Sequence, residues 1–285
     1  MRHALTMLVM AIAMAAAPGL AFSQAASQPA TGPSSQPAKE LLLDLGKKIT
    51  MKLTLVPSGT FLMGCAQGEK DAKEAETPQR EVAITKPFYV GIYEVTQEQW
   101  AVVMGTTPWK GMVCGDEGAT HAANFISWVD ATAFCKKLSV KTGKTVCLPT
   151  EAQWEYACRA GSKTRVGYGD DADYSKLEDY AWFVKNAVRA NENYPHAVGQ
   201  KKPNDFGLYD MHGNVWEWVA DWWADSYKDA EAKDPTGPAK GTQRILRGGS
   251  FRTGGKECRS AVRANIVPTN GWSSYGFRVV VVVPQ

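Results

Sequence analysis

The chain has 285 residues, a formal net charge of +3 and a pI of about 8.4. That balance is too mild for a nucleic-acid surface, and no basic cluster is interleaved with aromatics. No internal repeat and no second apolar span occur, so a membrane span beyond the N-terminal run is not expected.

Met1, Arg2 and His3 make a short positive start, and an apolar run follows to about Phe22, broken by Pro18 and Gly19. Small residues at Ala21 and Ala25 offer cleavage positions. Together these features predict a secretory signal peptide over residues 1–25 and a secreted or periplasmic mature protein. Residues 26–40 are rich in Pro, Ser and Ala and cannot bury a core, so they are expected to form a flexible linker. The remaining residues, 41–285, are expected to form one domain.

Residues 51–56 alternate as a strand, Pro57 to Gly59 turn the chain, and residues 60–64 return, which predicts a hairpin. Residues 68–80 are charged and read as a loop. Residues 82–84 and 88–90 are short strand candidates. Thr96 can cap a helix through Met104, with Trp100, Val103 and Met104 on one side. Residues 105–120 contain glycines and Pro108 and read as a loop. Ala131, Phe134, Cys135 and Leu138 fall at helical spacing, which predicts a helix over 128–141. Thr150 and Gln153 form a capping box that opens a helix to about Arg159.

Residues 215–222 alternate instead. Trp216, Trp218 and Trp222 share one face, as a ligand groove or as core, and core is the expectation. Residues 245–247, 258–263 and 277–283 are further strand candidates. The fold class expected is α+β, with short strands, few helices and much irregular chain.

Several segments carry a resemblance. They include Phe61–Leu62–Met63–Gly64, Glu94–Val95–Thr96 and Ile126–Ser127–Trp128. Further along come residues 148–157, from Leu148–Pro149–Thr150–Glu151 to Tyr156–Ala157, and residues 207–218, which contain Gly213–Asn214–Val215–Trp216–Glu217–Trp218. The last are Arg247–Gly248–Gly249–Ser250–Phe251, Arg259–Ser260–Ala261–Val262–Arg263 and Gly276–Phe277–Arg278. In this order and spacing the chain resembles the formylglycine-generating enzymes, the sulfatase-modifying factor family, over roughly residues 51–283.

The resemblance implies a fold distantly similar to C-type lectins and low in regular secondary structure. It also implies structural calcium. Catalytic members use two cysteines that bind copper and, with molecular oxygen, oxidise a sulfatase cysteine to formylglycine. Related branches act as iron-dependent oxygenases, as siderophore-maturation proteins in the periplasm, or as non-catalytic modules.

The catalytic interval departs from that pattern. Thr253 occupies the first cysteine position, the interval is shorter, and only Cys258 remains. Two thiolates hold soft Cu(I) well, whereas one thiolate with a hydroxyl does not, so copper is not expected. The catalytic residues are therefore unassigned, with Thr253 and Cys258 marking the candidate region. An iron site would draw on His121, His196 and His212, each of which reads more simply as a surface or hydrogen-bonding histidine. Two functions remain open: an oxygen-dependent oxidoreductase of the family, or a non-catalytic lectin-like module that binds an exported protein or a glycan. Neither fixes the oligomeric state. Motifs of nucleotide binding, zinc proteolysis and serine hydrolysis are absent.

The resemblance further implies calcium at Asn214, the Val215 carbonyl and Glu217, against the simpler alternative that Glu217 pairs with an arginine. It implies that Cys158 and Cys258 lie on elements that pack together, and an exported chain favours their disulfide. Cys135 with Cys147 and Cys65 with Cys114 are weaker pairings. Arg247, Arg259, Arg263 and Arg278 could bind anions. The preferred expectation is a buried ion-pair lattice with Glu94, Glu151, Glu155 and Asp221.

Overall fold

The structure, a computed structural model, describes residues 38–283. The expected signal peptide and nearly all of the expected linker lie outside the described residues.

The first part of the chain forms β1 (Glu40–Gly46), β2 (Ile49–Val56), β3 (Gly59–Met63), β4 (Arg80–Ile84), β5 (Phe88–Gly91) and α1 (Gln97–Met104). The middle forms α2 (Trp128–Thr142), β6 (Val146–Cys147), α3 (Glu151–Arg159), β7 (Ala181–Trp182) and β8 (His212–Gly213). The last part forms β9 (Trp216–Trp222), β10 (Arg244–Arg247), β11 (Arg263–Ile266), β12 (Tyr275–Gly276) and β13 (Val280–Val282). A five-stranded sheet runs in the order β1-β2-β5-β13-β6, and a four-stranded sheet in the order β11-β10-β9-β12. Two-stranded ribbons join β3 to β4 and β7 to β8.

All three α-helices open with a reciprocal capping box, at Thr96 with Gln99, Ser127 with Asp130, and Thr150 with Gln153. Glycines in the left-handed region end the first two, at Gly105 and Gly143. Helices α1 and α2 cover the five-stranded sheet through an aromatic cluster. Trp100 stacks on Phe134, with ring centroids 5.6 Å apart, and Phe277 meets Phe134 edge-on at 5.2 Å.

Three expectations need correction. The predicted β2–β3 hairpin does not form. β2 pairs with β1 and β5, while β3 pairs with β4. The cause lies upstream: residues 40–46 form a strand whose buried Leu43 and Leu45 claim the edge of β2. Residues 255–258 make a 3₁₀ turn, and the strand expected there begins only at Arg263. The strand expected over 277–283 is confined to 280–282.

Trp216 and Trp218 belong to the core, not to a groove. Trp218 is fully buried and donates its indole N–H to the Ile126 carbonyl at 2.8 Å. Trp222 at the strand's end is only half-buried, beneath the Arg244 guanidinium at 3.3 Å from the ring centroid.

Candidate functional site

The C-terminal sheet and α3 are bound together by buried arginines. Arg247 donates to Glu155 at 2.5 Å and to the carbonyls of Ser260, Ala261 and Val262. Arg159 shares Glu155 at 2.9 Å. Arg263 holds Glu151 through two bonds of 2.6 and 3.0 Å. Arg259 grips both oxygens of Glu76 and one of Glu69, which fastens the 66–79 loop to the interval before β11. Arg278 holds Glu217.

This is the lattice expected from the sequence, and Glu151 and Glu155 serve in it as expected. Glu69, Glu76 and Glu217 take part, while Glu94 and Asp221 pair with no arginine. Glu94 accepts from Asn214 Nδ2 at 2.8 Å and from the Val215 N–H at 3.2 Å. Burial, then nearby Asp210 and Glu217, push its carboxyl well above the usual range. Asp221 Oδ2 accepts the Glu151 N–H at 2.7 Å. Each of these arginines spends both terminal nitrogens inside the protein, and the one unpartnered donor, Arg247 Nε, is fully buried, so the lattice offers no free fork to an anion.

Calcium does not fit the Asn214, Val215 and Glu217 positions as they are arranged. A calcium ion needs free oxygens. Asn214 Oδ1 already accepts the His196 N–H at 2.9 Å. Glu217 Oε2 accepts from Trp154 Nε1 and Arg278 Nε, and Oε1 accepts from Arg278 Nη2. A guanidinium on the carboxylate repels a dication from the same place. Among the described residues, no group of three or more His, Cys, Asp or Glu side chains converges as a metal site.

The interval from Gly249 to Cys258 is shaped by hydrogen bonds around Thr253. Its Oγ1 accepts the Ser250 N–H at 2.8 Å and donates to the Ser250 carbonyl at 3.0 Å. Cys258 Sγ lies 4.0 Å from that hydroxyl and points at the Gly254 carbonyl, 3.6 Å away. The thiol is fully buried, and desolvation pushes it up to about 12.

The disulfide expected between Cys158 and Cys258 is not formed, and neither are the two weaker pairings, because all six cysteines are free thiols. The two segments do pack together, but His212 connects them. Gly167 donates its N–H to His212 Nε2 at 3.1 Å, so Nδ1 carries the proton and donates to the Cys258 carbonyl at 2.7 Å. Cys158 Sγ sits 3.9 Å from Nε2 and faces the Met211 carbonyl. Burial holds the imidazole neutral by pushing its pKa down to about 4. His212 is thus a structural hydrogen-bonding histidine with both nitrogens engaged. The other two histidines lie against Tyr194, with His121 stacked on it at 6.1 Å and His196 at 5.2 Å. His196 also stacks on Trp182 at 3.8 Å and bonds Glu192 at 2.7 Å.

Sequence reasoning missed the residues that gather around Arg252. Arg252 Nη1 lies 3.9 Å from Cys114 Sγ and 3.2 Å from Ser273 Oγ. Asn124, fully buried, donates to the carbonyls of both Cys114 and Ser273, fixing the two loops beside each other. Cys114 lines a shallow, open depression between residues 111–117 and 191–194. Nearby side chains include Val113, 87% exposed, Met112, 51%, and Trp272, 59%. The chain separation of residues 114, 252 and 273 left no sequence signal for this meeting.

A sheet-rich α+β domain with few helices, bound by buried arginine–carboxylate pairs at the motif positions named above, defines the class of scaffold. Residues 44–283 match the Sulfatase-modifying factor enzyme 1-like domain, and the chain belongs to that family. It is 29% identical to the formylglycine-generating enzyme of Mus musculus over 283 residues, covering 80% of this chain and 74% of that one. It is 30% identical to the formylglycine-generating enzyme of Streptomyces coelicolor over 279 residues, covering 78% and 87%. PvdO from Pseudomonas aeruginosa shares the fold, with a TM-score of 0.77 and 27% identity, covering 87% of this chain and all of the other.

Proposed function

We propose that the chain is an exported protein that uses this scaffold for binding, not for oxidising a sulfatase cysteine to formylglycine. The observation that carries the proposal is the state of the Thr253–Cys258 interval. Thr253 is held in a turn with Ser250, and the one thiol beside it is buried and protonated. A linear Cu(I) site needs two accessible thiolates, and this interval supplies none. The depression beside Arg252, with Val113, Met112 and Trp272 exposed nearby, supports docking of an exported protein or a glycan.

A competition titration with a Cu(I) chelator tests this. Wild type and Cys258→Ser are expected to retain the same amount of Cu(I). One equivalent held by wild type and lost in Cys258→Ser would refute the proposal.

A further inference from the structure

A cavity of about 490 Å³ lies away from Thr253, between the start of α3, the end of β9 and the loop that follows it. At its wall stands Asp221, only 3% exposed. Its Oδ2 accepts the Glu151 N–H, while Oδ1 receives no hydrogen bond from any described residue. That oxygen is not sealed off but opens on the cavity, free to accept a hydrogen bond from whatever occupies it.

The charged side chains that line the cavity are mostly acidic. Asp225, Asp229 and Glu231 also line the cavity. Two cations stand near: Arg263 is already held by both oxygens of Glu151 and by the Ala75 and Ala224 carbonyls, and Arg244 lies over the Trp222 ring and donates to the Ala220 carbonyl. The positive end of α3 is engaged too, by Asp221 itself and by the Thr150–Gln153 capping box. Anions are therefore repelled. A bare divalent metal lacks a converging set of ligands among the described residues. Met63, Ala152, Ala230 and Trp222 give the wall an apolar stretch, beside the polar Ser226, Tyr227 and Thr236.

We propose that this cavity binds an organic ammonium cation on a short apolar stem, with Asp221 Oδ1 as its anchor. The stem lies along the apolar wall, the ammonium donates to the unpartnered oxygen, and the outer carboxylates draw the ligand in. The same chemistry is presented by a free alkyl diamine and by a lysine side chain of another polypeptide. The site is separate from the Cys258 interval and stands whichever way the copper question falls.

Calorimetric titration of the full chain at pH 8.5, where Asp221 is ionised and the amines remain protonated, tests it with 1,5-diaminopentane and separately with a short acetylated peptide carrying one lysine. Binding of either probe is expected, and it identifies the source: a free amine if only the diamine binds, a displayed lysine if only the peptide does. 1-Pentanol, with the stem but no charge, is expected not to bind. Asp221→Asn should weaken binding at least tenfold. Because that variant alters a buried group, the exposed pair Asp229→Asn with Glu231→Gln provides a second arm, expected to weaken binding several-fold at low salt with unchanged melting. No binding of either amine, equal binding of 1-pentanol, or full affinity in both variants would overturn the proposal.

Discussion

Arg278 and Glu217 face each other through two hydrogen bonds of 2.7 Å, Nε to Oε2 and Nη2 to Oε1, with both side chains out of water. Arg278 also donates to the carbonyls of Gly91 and Tyr209, so one guanidinium joins β9, the end of β5 and the chain before β8. Trp154 Nε1 adds a third donor to Glu217, from α3.

Removing the charge from one side of this pair leaves the other buried and uncompensated. Glu217→Gln is therefore expected to destabilise the protein by about 3–5 kcal/mol in urea denaturation. Chelator should leave the wild-type melting temperature unchanged, since the carboxylate is held by arginine. A change below about 1 kcal/mol, or a calcium-dependent rise in melting that Glu217→Gln abolishes, would assign Glu217 to a metal instead.

The thiols should differ sharply in reactivity. Cys114 is half-exposed, Cys147 is partly exposed with a pKa raised by burial, and Cys65, Cys135, Cys158 and Cys258 are buried. Burial pushes Cys65 up to about 11 and Cys158 to about 12. Native protein treated with an alkylating reagent should label first at Cys114, more slowly at Cys147, and at the other four only after denaturation. Peptide mapping without reductant should recover all six unpaired. A Cys158–Cys258 bridged peptide, or rapid labelling of Cys258, would contradict the geometry.

Asp221 should leave a mark on the pH dependence of stability. Burial, and then the nearby Glu151, raise its pKa from 3.8 to about 7 in the folded chain. Between those values the native state keeps a proton that the unfolded state has released, so this group's contribution to stability falls as pH rises. The slope is at most about 1.4 kcal/mol per pH unit. Relative to wild type, Asp221→Asn should gain stability from about pH 4 to pH 7 and show a constant difference above that. A difference independent of pH across this window would show that Asp221 titrates normally.

Much of this arrangement was legible in the sequence where the cause is local. The Thr150–Gln153 capping box, the Thr96 cap and the helical spacing of Ala131, Phe134 and Leu138 all act within one or two turns, and the helices lie where they indicate. Strand pairing depends on distant partners. Residues 51–64 look like a hairpin until Leu43 and Leu45 occupy one edge of β2 and Tyr89 and Val90 the other. Glu151 and Glu155 were read correctly as arginine partners, but Glu94 and Asp221 were misassigned for the same reason. Glu76 reaches Arg259 from 183 residues away, across a loop with no periodicity. The Cys158–Cys258 pairing correctly placed two elements together but could not reveal that His212 connects them.

The most direct test is a mass-spectrometric assay of a sulfatase-motif peptide incubated with the purified chain, copper, oxygen and a reductant. With Thr253 held by Ser250 and Cys258 buried, no conversion of the peptide cysteine to formylglycine is expected, and Thr253→Cys alone should not create it. Turnover by wild type that disappears in Cys258→Ser would contradict this account and make the chain a formylglycine-generating catalyst.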